Sequence, residues 1–236
     1  MSVISTGARR IGSAALDLIF PPRCALCGAG GSFLCAGCAG NLTAASPPRC
    51  DRCWRPGTYQ DVCPHCQAEP PAFDRLCAAF VYDGNARDLV HALKYRGLTA
   101  LAGPMASLML AASGDALDAV DLIVPVPLAG LRRRTRGYNQ AESLAQALGD
   151  ELGLPVEPGA LARKRHAPPQ ARSADAETRR RNVAGAFTAR PELVAGARIL
   201  LVDDVTTTGA TLASCAAALN EAAATSVGCL TFARED

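Results

Sequence analysis

Eight of the eleven cysteines fall into four Cys-x-x-Cys pairs, Cys24/Cys27, Cys35/Cys38, Cys50/Cys53 and Cys63/Cys66, all within 43 residues. Two-residue spacing lets both thiolates of a pair reach one tetrahedral ion. Four pairs supply ligands for two zinc sites of four cysteines each. Glycine, proline and other small residues fill the gaps. Such a segment holds too little apolar material for a core of its own, so metal is expected to provide most of its folding energy. The rivals are disulfides in a secreted domain and iron–sulfur ligation. Arg9 and Arg10 precede an apolar run, but Asp17 interrupts it and no small-residue cleavage site follows clearly. A signal peptide is therefore not expected, and disulfides lose their usual compartment. The regular pairing suits zinc ribbons better than iron–sulfur ligation. Sequential use would put Cys24, Cys27, Cys35 and Cys38 on one ion and Cys50, Cys53, Cys63 and Cys66 on the other. A cross-braced arrangement would alternate the pairs. His65, inside the last pair, reads as a bystander. Cys77, Cys215 and Cys229 stand in apolar contexts and read as small buried residues.

The second informative stretch is residues 199–211, Ile-Leu-Leu-Val-Asp-Asp-Val-Thr-Thr-Thr-Gly-Ala-Thr. Its opening apolar run lacks alternation, as in a strand of a parallel sheet buried on both faces. Asp203 and Asp204 stand where that strand should end, and ligands of open α/β sheets bind at such ends. Gly209 allows close backbone approach. Thr207, Thr208 and Thr211 offer hydroxyls, and the next helix offers unpaired N–H groups and its positive dipole end. Together these suit a phosphate monoester. Two carboxylates beside a phosphate make sense if they face ribose hydroxyls or Mg²⁺ instead. No Gly-Lys-Thr follows the glycine, so the stretch is not a P-loop.

At 236 residues the chain has room for one ordinary domain and a small one. Pro70-Pro71 marks the expected boundary. Ile4, Ile11, Ala15, Leu18 and Ile19 suggest an amphipathic helix over 1–22, followed by a double zinc ribbon over 23–70 and an α/β domain over 71–236. In the last, strands are expected at 76–82, 122–126, from 161, at 198–202 and at 227–232. Helices are expected at 86–94, 101–112, 138–152 and 209–223. Strands alternating with helices imply a parallel sheet. No apolar stretch is long enough to span a bilayer.

The net charge of +2 is too small to argue for nucleic acid. The basic residues are clustered, however: 131–140 hold four arginines and no acid, and 160–181 hold six arginines and one lysine against two acids. Lys94 and Arg96 stand at the end of a predicted helix and suit phosphate. Arg132 to Arg136 follow a strand bracketed by Pro125 and Pro127, and clustered guanidiniums there suit pyrophosphate. The polar stretch 163–182, with His166, Gln170 and Arg179–Arg181, reads as a loop that closes over substrate. Trp54 stands near Arg49, Arg52 and Arg55. That grouping can bind single-stranded nucleic acid by charge and stacking, but packing against the metal site is the plainer expectation.

These features carry a resemblance. Residues 199–211 resemble the phosphoribosyl pyrophosphate (PRPP) motif of type I phosphoribosyltransferases, with Asp203 and Asp204 as its acidic pair and Thr207–Thr211 as its 5′-phosphate loop. Thr206 replaces the usual aliphatic residue, a change the position should tolerate. The order of motifs along the whole chain is similar to the ComF family: the double zinc ribbon, the segment around Lys94-Tyr95-Arg96-Gly97, Pro125-Val-Pro, Arg136-Gly-Tyr-Asn-Gln140, Gln170-Ala-Arg-Ser173, Arg181-Asn-Val-Ala-Gly-Ala-Phe187 and the PRPP motif.

The resemblance implies a type I phosphoribosyltransferase-like parallel sheet, a cytoplasmic protein and two structural zinc ions. It also implies PRPP bound with Mg²⁺ by Asp203, Asp204, Val205, Thr206, Thr207, Thr208, Gly209, Ala210 and Thr211. Lys94, Arg96, Arg132 and Arg136 would meet the pyrophosphate. Asp203 and Asp204 would be the catalytic pair, and the acceptor is not specified. A second implication is an accessory role in DNA uptake during competence. There the zinc ribbons and basic runs would contact single-stranded DNA or the uptake machinery, and the PRPP site would be a sensor or relic. A blander role for the ribbons is protein docking.

Overall fold

In the computed structural model, which describes residues 21–114, 119–128, 136–164 and 185–236, four parallel strands make the central sheet. They are β1 (Arg75–Val81), β2 (Leu122–Pro125), β5 (Arg198–Thr206) and β6 (Ser226–Arg234), in the order β1-β6-β5-β2. The middle strands are the apolar ones, because parallel strands are covered on both faces. Ile199, Leu200, Leu201 and Val202 of β5 and Leu230 and Phe232 of β6 are fully buried. A short antiparallel hairpin, β3 (Leu161–Arg163) with β4 (Phe187–Ala189), stands apart from the sheet.

Helix α3 (Gly84–Tyr95) follows β1, and α4 (Ala102–Ser113) packs on β1 and β6. Helix α5 (Gln140–Leu152) packs on α4, β2 and β5. A single turn, α6 (Pro191–Val194), precedes β5. Helix α7 (Ala210–Glu221) packs on β5, β6 and the hairpin. The close fit of α5 explains Gly149, where an added Cβ would stand 2.5 Å from Val156 Cγ2 and 2.9 Å from the Leu154 carbonyl. Asn139 caps α5 by accepting the Ala141 N–H at 3.2 Å, and its amide donates to the Val126 carbonyl at 3.0 Å. The segment Gly-Tyr-Asn-Gln is thereby tied to the end of β2. Among the described residues, no helix is long and apolar enough to cross a membrane.

The cysteine segment is built twice on one plan. Each copy has a small knuckle, bridged at Arg23–Gly30 or Arg49–Pro56, then a five-residue helix, α1 (Ala36–Gly40) or α2 (Pro64–Ala68). Cys35 and Cys63 occupy the helix N-caps. This segment, too poor in apolar residues for a core of its own, shares the core of the sheet. Leu34, Leu42, Ala45 and Trp54 belong to the same buried cluster as the sheet. Residues 43–45 run antiparallel along the outer edge of β1. Val81 N–H donates to the Thr43 carbonyl at 2.8 Å and Ala45 N–H to the Ala79 carbonyl at 2.9 Å, while Leu76 N–H donates to the Arg52 carbonyl at 2.8 Å. An open parallel sheet leaves edge strands that must be covered. The ribbon segment covers one edge, and residues 155–157, bonded to both sides of Ile123, cover the other.

The expected amphipathic helix falls almost wholly outside the described residues. So do Arg132, His166, Gln170, Ser173 and Arg179–Arg181.

Candidate functional site

Strand β5 runs further than its apolar stretch suggests. It passes through Asp203 and Asp204 to Thr206, pairing Asp203 with Thr231 and Thr206 with Arg234. The acids are therefore held by the sheet rather than placed after it, which fixes their backbone on one side. Each carboxylate also folds back on its own strand: Asp203 Oδ1 accepts the Asp204 N–H at 2.8 Å, and Asp204 Oδ1 accepts the Val205 N–H at 2.9 Å. Lys94, near the end of α3, places Nζ 2.7 Å from Asp204 Oδ2. Among the described residues, this ammonium is the charge partner of that buried oxygen. Burial, then the adjacent Asp204 carboxylate, push the Asp203 carboxyl well above the usual carboxylate range, against a smaller opposing pull from Lys94.

These groups line a cavity of about 210 Å³ with Tyr95, Arg136, Gln140, Arg163, Val205 and Thr211. Tyr138 donates its hydroxyl to the Leu93 carbonyl and so ties the start of α5 to the end of α3. That tie brings Arg136 to Lys94. The Arg136 guanidinium lies 5.0 Å over the Tyr95 ring and bonds the Gln140 side chain. Arg163 reaches the wall from the hairpin, over the Phe187 ring at 5.5 Å.

Of the residues expected to meet the ligand, Lys94, Arg136, Asp203, Asp204, Val205 and Thr211 converge here. Arg96 does not line this cavity. It is exposed, and its guanidinium faces the Ala25 carbonyl of the first knuckle at 3.4 Å. Arg163 and Gln140 line the cavity without being among the expected ligand residues, although both lie in motifs noted above. Tertiary packing, not local pattern, brings them in.

The loop between β5 and α7 has the expected form. Gly209 adopts φ 79°, a left-handed conformation open to glycine, and so permits the sharp entry to α7. Thr208 Oγ1 accepts the Ala210 N–H at 3.3 Å. Thr207 and Thr208 are exposed, and Thr206 is buried as the last residue of β5. Phe73 lies against Gly209, where an added Cβ would meet its ring at 3.7 Å. Behind the loop is a second cavity of about 450 Å³, where Thr208, Gly209, Ala210 and Phe73 face Cys53, His65 and Cys66.

The cysteines group sequentially. Cys24, Cys27, Cys35 and Cys38 form one cluster, Cys50, Cys53, Cys63 and Cys66 the other, and within each the sulfurs lie within 4.8 Å of one another. Zn–S bonds of about 2.3 Å in a tetrahedron separate sulfurs by about 3.8 Å. Cys27–Cys35 and Cys53–Cys63 are both at 3.7 Å. Four thiols this close also compete for protons. Against the effect of burial, backbone N–H groups bring Cys24 down to about 6, while hydrogen bonding with Cys35 and Cys27 pushes Cys38 up to about 12. A dication relieves that competition. Each cluster is thus consistent with one structural zinc ion. His65 is outside the ligand set, as expected. Trp54 is 8% exposed and donates its indole N–H to the Ala45 carbonyl at 3.1 Å. Its ring is core rather than a stacking surface. Cys77, Cys215 and Cys229 are buried, as expected.

Comparison with known proteins agrees with this two-part build. Residues 15–79 match a double zinc ribbon domain and residues 72–236 a phosphoribosyl transferase domain. The chain is 34% identical over 206 residues to the DNA utilization protein YhgH of Escherichia coli (strain K12), covering 84% of this chain and 89% of that protein. It is 31% identical over 202 residues to competence protein F of Haemophilus influenzae, covering 77% and 88%. It is 27% identical over 186 residues to competence protein ComFC of Bacillus subtilis, covering 76% and 74%. Among solved structures, a glutamine PRPP amidotransferase from B. subtilis, complexed with ADP and GMP, is 24% identical with a TM-score of 0.38. The match covers 59% of this chain, which spans about a quarter (26%) of that protein. The double zinc ribbon and phosphoribosyl transferase domain matches, with 34% and 31% identity across most of the length of these DNA-utilization and competence proteins, place the chain in the ComF family.

Proposed function

We propose that the chain binds PRPP together with Mg²⁺ and transfers its phosphoribosyl group to an acceptor. The observation that carries this reading is the convergence on one cavity of Asp203 and Asp204, Lys94, Arg136 and Arg163, beside the Gly209 turn that opens α7. A phosphate monoester suits Thr207–Thr211 and the first turn of α7. The acids suit ribose hydroxyls or the metal, with Asp204 Oδ2 held in this structure by the Lys94 ammonium at 2.7 Å. Displacement at the anomeric carbon builds oxocarbenium character while charge collects on the departing pyrophosphate. Lys94, Arg136 and Arg163 are the cations at hand for that charge, and a dication would share it. Calorimetric titration of PRPP with Mg²⁺ tests the reading. Saturable binding is expected for the wild type, with a loss of at least about tenfold in Asp203→Ala and Asp204→Ala. A wild type that takes up no PRPP overturns it.

A second reading is that the chain handles single-stranded DNA, its relatives being named for DNA utilization and competence. What supports it here is Tyr95, 71% exposed at the cavity rim with Arg136 over its ring. Stacking between bases and an exposed aromatic beside an arginine is worth about 1–3 kcal/mol per base. Binding to oligo(dT) that weakens steeply with added salt, and further in Tyr95→Ala, is the expected result. No binding at low salt by zinc-loaded protein counts against it.

A further inference from the structure

Lys94 and Asp204 have each been assigned to a ligand, yet in this structure each faces the other. Their charged atoms are 2.7 Å apart, with Asp204 only 4% exposed and Lys94 19%. Asp204 Oδ2 is buried, and among the described residues the ammonium is its charge partner. The two assignments exclude the pair as it stands. A dication on Oδ2 would sit in contact with an ammonium, and an ammonium held on Oδ2 keeps only part of its donors and charge for pyrophosphate. The backbone beside Lys94 is tied, since the preceding Leu93 carbonyl accepts the Tyr138 hydroxyl. Any exchange must therefore come from the lysine side chain, whose flexible stem and three donors allow it.

We propose that Lys94 is an exchangeable counter-ion. It holds Asp204 in the free protein and yields it to a divalent cation when a pyrophosphate-bearing ligand arrives to receive the ammonium. The inference rests on the PRPP and Mg²⁺ reading above. Metal alone then binds weakly, because it must displace a cation that has nowhere else to go. Metal with the polyanion binds well, because the lysine gains a new partner in the same step. The coupling is reciprocal: whatever the ligand does for the metal, the metal does for the ligand. Arg136 and Arg163 line the same cavity.

The test uses the full-length, zinc-loaded chain and Mn²⁺ as the probe, followed by electron paramagnetic resonance without PRPP. Lys94→Met, with Lys94→Gln as the alternative should the first not fold, is expected to bind Mn²⁺ about tenfold more tightly than wild type. Asp204→Asn placed on Lys94→Met is expected to remove the gain. With PRPP present, Mn²⁺ affinity of the wild type rises, and that rise shrinks about tenfold in Lys94→Met. Equal Mn²⁺ affinity of wild type and folded Lys94→Met without PRPP overturns the inference. The first arm needs no PRPP, so a wild type that fails to bind PRPP sinks the functional reading and leaves the exchange separately decided.

Discussion

The two tetracysteine clusters share a plan, a spacing and a sulfur geometry, yet they sit in different surroundings. In the first, Cys27 is exposed and Cys35 and Cys38 are half-buried, while in the second all four cysteines are buried. The first is held through Leu34 and Leu42, which reach the common core, and through Arg96 at its knuckle. The second is held by polar and aromatic ties to the sheet. Arg234 of β6 donates to the Cys53 carbonyl at 2.9 Å, Arg49 pairs both nitrogens with Asp236 at 2.7 and 2.8 Å, and Trp54 closes over Ala45. Arg234 also lies in register with Thr206, and the Glu235 N–H donates to the Thr206 carbonyl at 2.9 Å. The same cluster plan thus forms a surface clasp in one place and part of the support of the β5–α7 loop in the other.

The strongest way to break that contrast is to remove one ligand from each cluster. A structural zinc site is worth on the order of 10 kcal/mol of folding free energy in small domains. Cys66→Ser opens a buried thiolate cluster that also walls the cavity behind Thr208 and Gly209. It is expected to cost more than about 4 kcal/mol in urea unfolding and to weaken PRPP binding. Cys38→Ser is expected to cost less than half as much and to leave PRPP affinity near wild type. Equal losses from the two variants would remove the distinction.

A sharper cut leaves the cysteines alone. Arg234→Met keeps the length of the side chain but takes the donor from the Cys53 carbonyl and a counter-charge from Asp236. Burial already pulls this guanidinium below its ordinary pKa, a sign that its charge is held at a cost. The expected loss is about 2 kcal/mol, measured by thermal denaturation, and it should fall on the second cluster. Release of zinc to a chelator reads a smaller difference. One equivalent should leave about tenfold faster than the other, a barrier gap of about 1.4 kcal/mol, with thiol alkylation beginning at Cys27. A single release phase for both ions would show that burial does not govern the order.

The local parts of this arrangement were legible in the sequence. Cys-x-x-Cys spacing, the apolar run of β5 and the glycine before α7 are all short-range signals. They gave the two metal clusters, the parallel sheet and the loop. What was not legible depends on residues far apart in sequence. The pairing order of the cysteines follows from where the knuckles fold. The edge of β1 is covered by residues 43–45 because the ribbon is laid along it, which no pattern within either segment announces. Strand β5 continues through two acids because β6 offers Thr231 and Arg234 as pairing partners, so tertiary pairing overrides a poor strand propensity. Trp54 beside arginines matches a nucleic-acid surface in composition alone. Its indole N–H has a carbonyl partner and its ring a place in the core, as a satisfied buried tryptophan should.

Arg96 is where the comparison meets the ligand site. By sequence it belongs with Lys94 as a phosphate-binding cation at the end of α3. By structure it belongs to the first cluster, reaching the Ala25 carbonyl between Cys24 and Cys27 at 3.4 Å from an exposed position. An exposed bond of that length adds little, so Arg96→Ala is expected to change stability by less than about 0.5 kcal/mol. Its effect on PRPP is the informative part. If the first cluster is a clasp independent of the cavity, calorimetry should find PRPP affinity in Arg96→Ala within about twofold of wild type, while Arg136→Ala loses about tenfold or more. A large loss in both would mean that Arg96 leaves the knuckle when ligand binds. The exposed cluster would then be coupled to the site through α3, and the two clusters would differ in route rather than in importance.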